Sequence, residues 1–73
     1  FDLLEDATIS LYVTDAKGRV RDVFVEDQFM TGGTYNYEWS GENRSTGIYF
    51  FTIQAQAGNF LPAVMSRKMI YLK

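Results

Sequence analysis

The sequence predicts an all-β fold, a sandwich or barrel of short antiparallel strands. Apolar and polar residues alternate in several segments, which is the pattern of strands with one buried face. Turn residues separate these segments at roughly regular intervals, and no segment combines helical spacing with helix caps. The 73 residues, of which 47% are apolar and 16% aromatic, suffice for one domain and are too hydrophobic for a disordered segment.

The first two strands are predicted to form a hairpin. Residues 7–14 alternate cleanly, with apolar side chains at the odd-numbered positions from 9 onward. The turn over 15–18 begins with Asp and ends with Gly, which is typical of a type I turn with Gly18 as a left-handed bulge residue. Residues 19–25 return as the second arm, and their imperfect alternation indicates an edge strand with a bulge.

Three further strands are predicted after a loop over 26–33. Aromatic residues alternate with polar ones in 34–39, the pattern is strongest in 48–56, and 66–73 forms the closing strand. Residues 1–3 also alternate and are compatible with the end of a sixth strand. The side chains expected to be largely buried between two sheets are Ile9, Leu11, Val13, Tyr37, Trp39, Tyr49, Phe51 and Ile53.

Four blocks of the sequence together carry a resemblance to a known family. They are ISLYVTDAKGR at 9–19, GTYNYEWSG at 33–41, STGIYFF at 45–51 and SRKMIYLK at 66–73. These resemble the patterns V-x-L-x-V-Y-D-x-x-G-R, G-x-H-x-x-x-W-D-G, A-S-G-V-Y-F-Y and T-R-K-M-x-L-x-K of the immunoglobulin-like domain first described in the flagellar hook-capping protein. Ser40 stands where that family usually has Asp.

The resemblance implies a single immunoglobulin-like antiparallel β-sandwich of about six to seven strands over residues 1–73. Such domains commonly form the C-terminal module of long exported bacterial proteins, and similar ones act as sorting signals for type IX secretion. The implied function is therefore non-catalytic: a structural or sorting module that mediates secretion, anchoring or assembly through protein contacts. The implied location is secreted or cell-surface, with the periplasm also open.

Composition argues against several other function classes. The chain contains no histidine and no cysteine, so the commonest acid–base residue, disulfides and the usual zinc ligands are all missing. The carboxylates match no calcium-loop spacing. We therefore expect no enzymatic activity, cofactor or metal. The net charge of −2 comes without a basic stripe, and no apolar run approaches about 20 residues, so neither nucleic acid nor a transmembrane segment is expected.

An alternative function is a module that binds carbohydrate or another surface ligand. The row Tyr35, Tyr37 and Trp39 would serve as a stacking platform if it faced solvent. The competing interpretation is that this row packs into the core. Aromatic residues buried in the core, together with an apolar patch at one edge, would favour the structural module instead.

Two apolar segments are candidates for contact with a protein partner. Phe29-Met30 is predicted to lie in a loop, and 59–65 is predicted to be a solvent-facing excursion, where exposed apolar residues would form an unusual patch. We expect these segments to dock against the parent's neighbouring domain or an assembly partner, unless they fold back to cap the sandwich. The candidate contact residues are Phe29, Met30, Phe60, Leu61, Val64 and Met65.

The basic residues of the closing strand form a second candidate. Arg67, Lys68 and Lys73 are compatible with a recognition patch for the export machinery. The competing interpretation is a solubilising edge on the terminal strand, because charged side chains commonly protect strand edges from unwanted pairing.

Overall fold

The computed structural model describes residues 1–41, 44–58 and 62–72. This part of the chain contains strands and no helix, so it has no helix long and apolar enough to cross a membrane. The all-β prediction is confirmed. The described residues form six strands, within the predicted six to seven. The strands are β1 (Asp2–Leu3), β2 (Ala7–Asp15), β3 (Val20–Met30), β4 (Gly33–Thr34), β5 (Gly47–Gln56) and β6 (Ala63–Tyr71).

The strands form two antiparallel sheets that make a small β-sandwich. The larger sheet has the order β3-β2-β5-β6, so β3 and β6 are its edges. The smaller sheet is the pair β1–β4. Phe1, Leu3 and Tyr35, which lie in or beside the small sheet, pack against the apolar cluster of the large one. Strand β1 confirms that residues 1–3 contribute to a sixth strand.

The core lies on the face of β2 that carries its odd-numbered residues. Ile9 and Val13 are both 0% exposed, as the alternation predicted. Across the sheet they lie opposite Ala55 and Phe51 of β5, whose odd-numbered positions share the same face. Burial of these alternating side chains is the main favourable contribution to folding. Leu11 and Tyr49 are buried as predicted, whereas Trp39, Phe51 and Ile53 are half-buried.

The hairpin turn between β2 and β3 has the predicted geometry. The Gly18 amide donates to the Asp15 carbonyl at 3.0 Å, and the Asp15 amide donates to the Arg19 carbonyl at 2.9 Å. Gly18 has φ = 84°, in the left-handed region that favours glycine. The Asp15 carboxylate also accepts the backbone amides of Lys17 at 2.9 Å and Arg19 at 3.0 Å.

The predicted loop over 26–33 is wrong, because β3 continues to Met30. The predicted bulging of this edge strand is confirmed by three register shifts against β2. At one of them Asp27 has φ = 45°, and its amide donates to the Ser10 hydroxyl at 3.0 Å. The Ser10 hydroxyl thus stabilises the irregular residue, and pairing resumes with Gln28 opposite Ile9. The apolar–polar alternation is interrupted at the bulge, but strand β3 continues through it to Met30.

The predicted strand over 34–39 is also wrong, because β4 ends at Thr34. Pairing extends one residue further, since the Phe1 nitrogen donates to the Tyr35 carbonyl at 2.6 Å and the Tyr35 amide donates to the Phe1 carbonyl at 2.8 Å. Residues 36–40 form a crossing segment that belongs to no strand and packs across the large sheet. Tyr37, predicted to be buried, is 40% exposed there. The closing strand begins at Ala63, three residues earlier than predicted.

A glycine beyond the crossing segment makes a close approach to β6. Gly41 is buried with φ = 69°, and a Cβ built there would lie 2.6 Å from two ring atoms of Tyr71. Gly18 has a similar φ but no atom within 4 Å of such a Cβ. We expect Gly18→Ala to lower the free energy of unfolding by about 1 kcal/mol through backbone strain alone. Gly41→Ala should cost about 1–3 kcal/mol more, because the ring must move.

Chemical denaturation of the two glycine variants and the wild type measures this difference. Equal losses for Gly18→Ala and Gly41→Ala would show that Tyr71 does not pack on Gly41.

The Asp15 carboxylate gives the turn a defined pH dependence. Hydrogen bonds, first from the Arg19 amide and then from the Lys17 amide and the Arg19 side chain, lower its pKa from 3.8 to about 2. The folded pKa is depressed, so this stabilisation is complete above pH 3.8 and is lost as the pH falls through about 2. Wild type should be more stable than Asp15→Asn at pH 7, with the difference shrinking over that range.

Thermal unfolding followed between pH 7 and pH 2 tests the Asp15 prediction. Lys17→Ala is the matched control, because its amide still donates to Asp15 and its pH profile should match wild type. A constant difference between wild type and Asp15→Asn at all pH values would contradict the assigned role.

Candidate interaction surface

Aromatic rings hold the crossing segment onto the large sheet. The ring centroid of Trp39 lies 5.1 Å from that of Tyr49, 5.2 Å from Tyr71 and 6.3 Å from Phe51. These are edge-to-face or tilted contacts, the geometry that aromatic quadrupoles favour. Trp39 therefore packs against strands β5 and β6.

The aromatic row continues towards the small sheet. Phe24 of β3 lies 6.2 Å from Phe51 and 5.8 Å from Tyr37, and Tyr37 stacks on Phe1 at 6.1 Å. Phe1 in turn stacks on Tyr35 at 5.4 Å. The three aromatic residues considered as a stacking platform are thus engaged with other rings of the same chain. Their arrangement agrees with the interpretation that the row packs into the domain.

A polar network fixes the same segment to β3. The Trp39 indole nitrogen donates to the Asp22 carboxylate at 2.7 Å, and Arg44 donates to both oxygens of Asp22 at 3.0 and 3.2 Å. Arg44 also donates to the Arg21 carbonyl at 2.6 Å. The Arg44 contact first, and the Trp39 contact second, hold the pKa of Asp22 below its usual range. Both oxygens of the Asp22 carboxylate therefore accept hydrogen bonds within the domain.

An open cleft lies beside this network. It has a volume of about 470 Å³ and is lined by Asp22, Glu38, Trp39 and Arg44 among others. Asp22 and Arg44 form an ion pair, and the indole nitrogen donates to Asp22, so these groups join Trp39 and Arg44 to β3. Among the described residues, no group of three acidic side chains is placed to hold a metal ion.

Strand β6 is an edge strand of the large sheet, and its side chains are exposed along most of its length. Its residues 63–68 are all exposed, and among the described residues β5 is the one strand that pairs with it. Val64 is 58% and Met65 71% exposed, with Ile70 and Leu72 also exposed. Apolar residues on both faces of an open edge form the kind of surface that soluble monomers usually limit.

The structure separates the six predicted contact residues. Val64 and Met65 are exposed as expected, although they lie within β6 and not in an excursion. Phe29 is 64% exposed on β3, at the opposite edge. Met30 belongs to the buried core at 7% exposure, so its side chain is not available to a partner. Phe60 and Leu61 lie outside the described residues.

Of the basic residues, Arg67 and Lys68 are exposed in the middle of β6. Lys73 lies outside the described residues. Arg67 is opposite Phe51 and Lys68 is opposite Phe50 on β5, so the two charges point to opposite faces of the sheet. Neither forms an ion pair with the other described residues; the ion pairs there involve Asp15 and Asp22.

Sequence reasoning did not find two parts of this region. The Asp22–Arg44–Trp39 network joins residues from separate segments, and no local motif marks it. The charges of the closing strand suggest an edge position, but the sequence does not predict the length of β6 or its regular pairing with β5.

Replacement of Trp39 tests whether the ring contacts hold the crossing segment. We expect Trp39→Ala to lower the free energy of unfolding by about 3 kcal/mol, since it removes three ring contacts and a hydrogen bond to Asp22. Trp39→Phe keeps an aromatic ring and should cost less, about 1–2 kcal/mol. Urea denaturation measures both, and equal stability of Trp39→Ala and wild type would mean that the segment is held elsewhere.

Comparisons with family models, curated proteins and solved structures find no match for this chain. What the surface can do therefore follows from its own residues. It presents an open strand edge with exposed apolar side chains and two basic side chains, next to an aromatic layer whose rings are packed against one another.

Proposed function

We propose that the chain is a non-catalytic β-sandwich module that mediates secretion, anchoring or assembly of an exported bacterial protein through protein–protein contacts. The observation that carries the proposal is the open edge of β6, where Val64, Met65 and Ile70 are exposed, with Leu72 exposed directly after the strand. The resemblance to C-terminal sorting domains of the type IX pathway supplies the secretion context.

The exposed area of the chain supports a protein partner. Its accessible surface is 5451 Å² for a mass of 8.4 kDa. A compact monomer of that mass exposes about 4,600 Å². The excess, roughly 800 Å², is similar to the area that one partner contributes to a standard protein–protein interface.

The alternative, a carbohydrate-binding module, finds less support. A sugar platform needs aromatic faces that are open to solvent. Tyr35 stacks on Phe1, while Trp39 contacts three rings. Tyr37 is partly exposed, but one ring stacks on it and another tilts against it. The apolar side chains exposed on β6 suit a protein surface better than a sugar.

A secretion assay tests the proposed function. The chain is fused to the C-terminus of a reporter that carries a signal peptide, in a bacterium with a type IX pathway. Surface delivery is measured by protease accessibility of the reporter on intact cells. We expect surface delivery with the wild-type module. Delivery should drop about tenfold or more with Arg67→Ser plus Lys68→Ser, because both proposed recognition charges are lost.

Lys17→Ala is the matched control, because it removes an exposed lysine from the hairpin turn, away from β6. It should leave delivery unchanged. Retention of the wild-type fusion in the periplasm would contradict a sorting role for this chain.

A further inference from the structure

The two edges of the large sheet are built differently. Strand β3 has three register shifts against β2 and a left-handed residue at Asp27, features that twist an edge and hinder pairing with another strand. Strand β6 pairs with β5 at nine consecutive positions without a shift. One edge is therefore protected against a further strand, and the other is regular.

A regular edge offers backbone hydrogen-bonding groups to a further strand. In an antiparallel pair, alternate residues direct their N–H and C=O groups away from the neighbouring strand. Along β6 no strand of the described residues accepts these groups. Recognition by strand addition uses such an edge, with backbone bonds for affinity and alternate side chains for selectivity.

The charges of β6 define the chemistry of the added strand. Arg67 and Lys68 are adjacent, project to opposite faces, and are both without an acidic partner among the described residues. Residues directly opposite them on a new strand would also be adjacent and on opposite faces. Carboxylates at those two positions would form cross-strand ion pairs with both basic residues.

We propose that β6 binds an extended acidic peptide segment of another protein as a fifth strand of the sheet. Two neighbouring carboxylates of that segment lie opposite Arg67 and Lys68, and apolar residues on either side contact Met65 and Ile70. The proposal rests on the proposed function, because it specifies the partner of that module. It assigns the exposed apolar side chains of β6 to contacts with alternate side chains of the added strand.

A second copy of the chain fits this edge less well. Two β6 strands paired antiparallel about the middle of the strand would place Arg67 opposite Arg67 or Lys68 opposite Lys68, and like charges directly opposite destabilise a sheet. The β3 edge of a second copy carries Glu26 and Asp27, but these residues lie at its bulge. Charge complementarity with a regular strand therefore favours an acidic segment from a different protein.

The test uses the whole chain and the capped peptide acetyl-Thr-Val-Val-Glu-Glu-Thr-Val-Thr-amide. Antiparallel to β6, its two Glu residues face Lys68 and Arg67. Isothermal titration measures binding, and amide hydrogen exchange locates it. We expect binding that protects β6 amides, and a loss of about tenfold or more in affinity for Arg67→Glu plus Lys68→Glu. The peptide with Lys-Lys in place of Glu-Glu should bind that double variant and not wild type.

A third peptide separates strand addition from simple charge attraction. It keeps both Glu residues but carries N-methyl groups on alternate backbone nitrogens, which block the ladder hydrogen bonds, and it should not bind. Equal binding of the methylated and unmethylated peptides would overturn the proposal, as would no binding at millimolar peptide. Circular dichroism confirms that the charge-reversed variant, altered only at exposed positions, is folded.

Two further outcomes are decisive. If sedimentation shows that the chain alone dimerises and Arg67→Glu plus Lys68→Glu changes the dimer, β6 serves a second copy and the proposal fails. If the fusion is delivered to the cell surface while the acidic peptide does not bind, the proposed function stands and strand addition fails. If the acidic peptide binds while the fusion is not delivered, strand addition stands and the sorting role fails.

Discussion

The packing of Trp39 is the contact on which the two-layer arrangement depends. Residues 36–40, the crossing segment, belong to no strand, so strand pairing does not hold them over the large sheet. Its rings do so instead, through Tyr49, Phe51 and Tyr71. The hydrogen bond to Asp22 fixes the orientation of the indole and satisfies its part-buried N–H. One side chain thus joins β3, β5 and β6 to the second layer.

A second layer built in this way is narrow. The small sheet consists of two strands of two residues each, and it packs over the cluster around Ile9 and Met30. On β6, Met65 lies opposite Ile53 and so belongs to the face that carries the core, yet it is largely exposed. The radius of gyration, 13.1 Å, exceeds the about 11 Å expected for a compact chain of this length. The sandwich is therefore open along the β6 side.

Residues with strong local patterns were predicted correctly from the sequence. The alternation of β2 predicted the burial of Ile9 and Val13, and the turn residues predicted the left-handed Gly18. Errors arose where tertiary contacts override the pattern. The aromatic alternation around Tyr37 indicated a strand, but beyond Tyr35 no neighbouring strand is present among the described residues, and ring stacking takes the place of ladder bonds. Alternation reports which side chains share a face and not whether a partner strand exists.

The candidate surface was predicted only in part for a related reason. Exposed apolar residues can be suspected from sequence, as for Val64 and Met65, but the burial of Met30 depends on the bulge at Asp27. That bulge is stabilised by the Ser10 hydroxyl, a contact between residues 17 positions apart. Which strand lies at an edge is likewise a property of the sheet order, and no local segment encodes it.

The outer face of the large sheet is better suited to water than its β6 edge is. Thr52 is buried there and hydrogen-bonds with Ser66 at 2.9 Å, while Gln54 donates to the Tyr12 hydroxyl at 3.0 Å. Among the described residues, no buried side-chain nitrogen or oxygen lacks a partner. The middle of this face is therefore polar and internally satisfied, so a partner gains little by covering it. The β6 edge combines unpaired backbone groups, exposed apolar side chains and two unpaired charges, and an added strand would satisfy all three together.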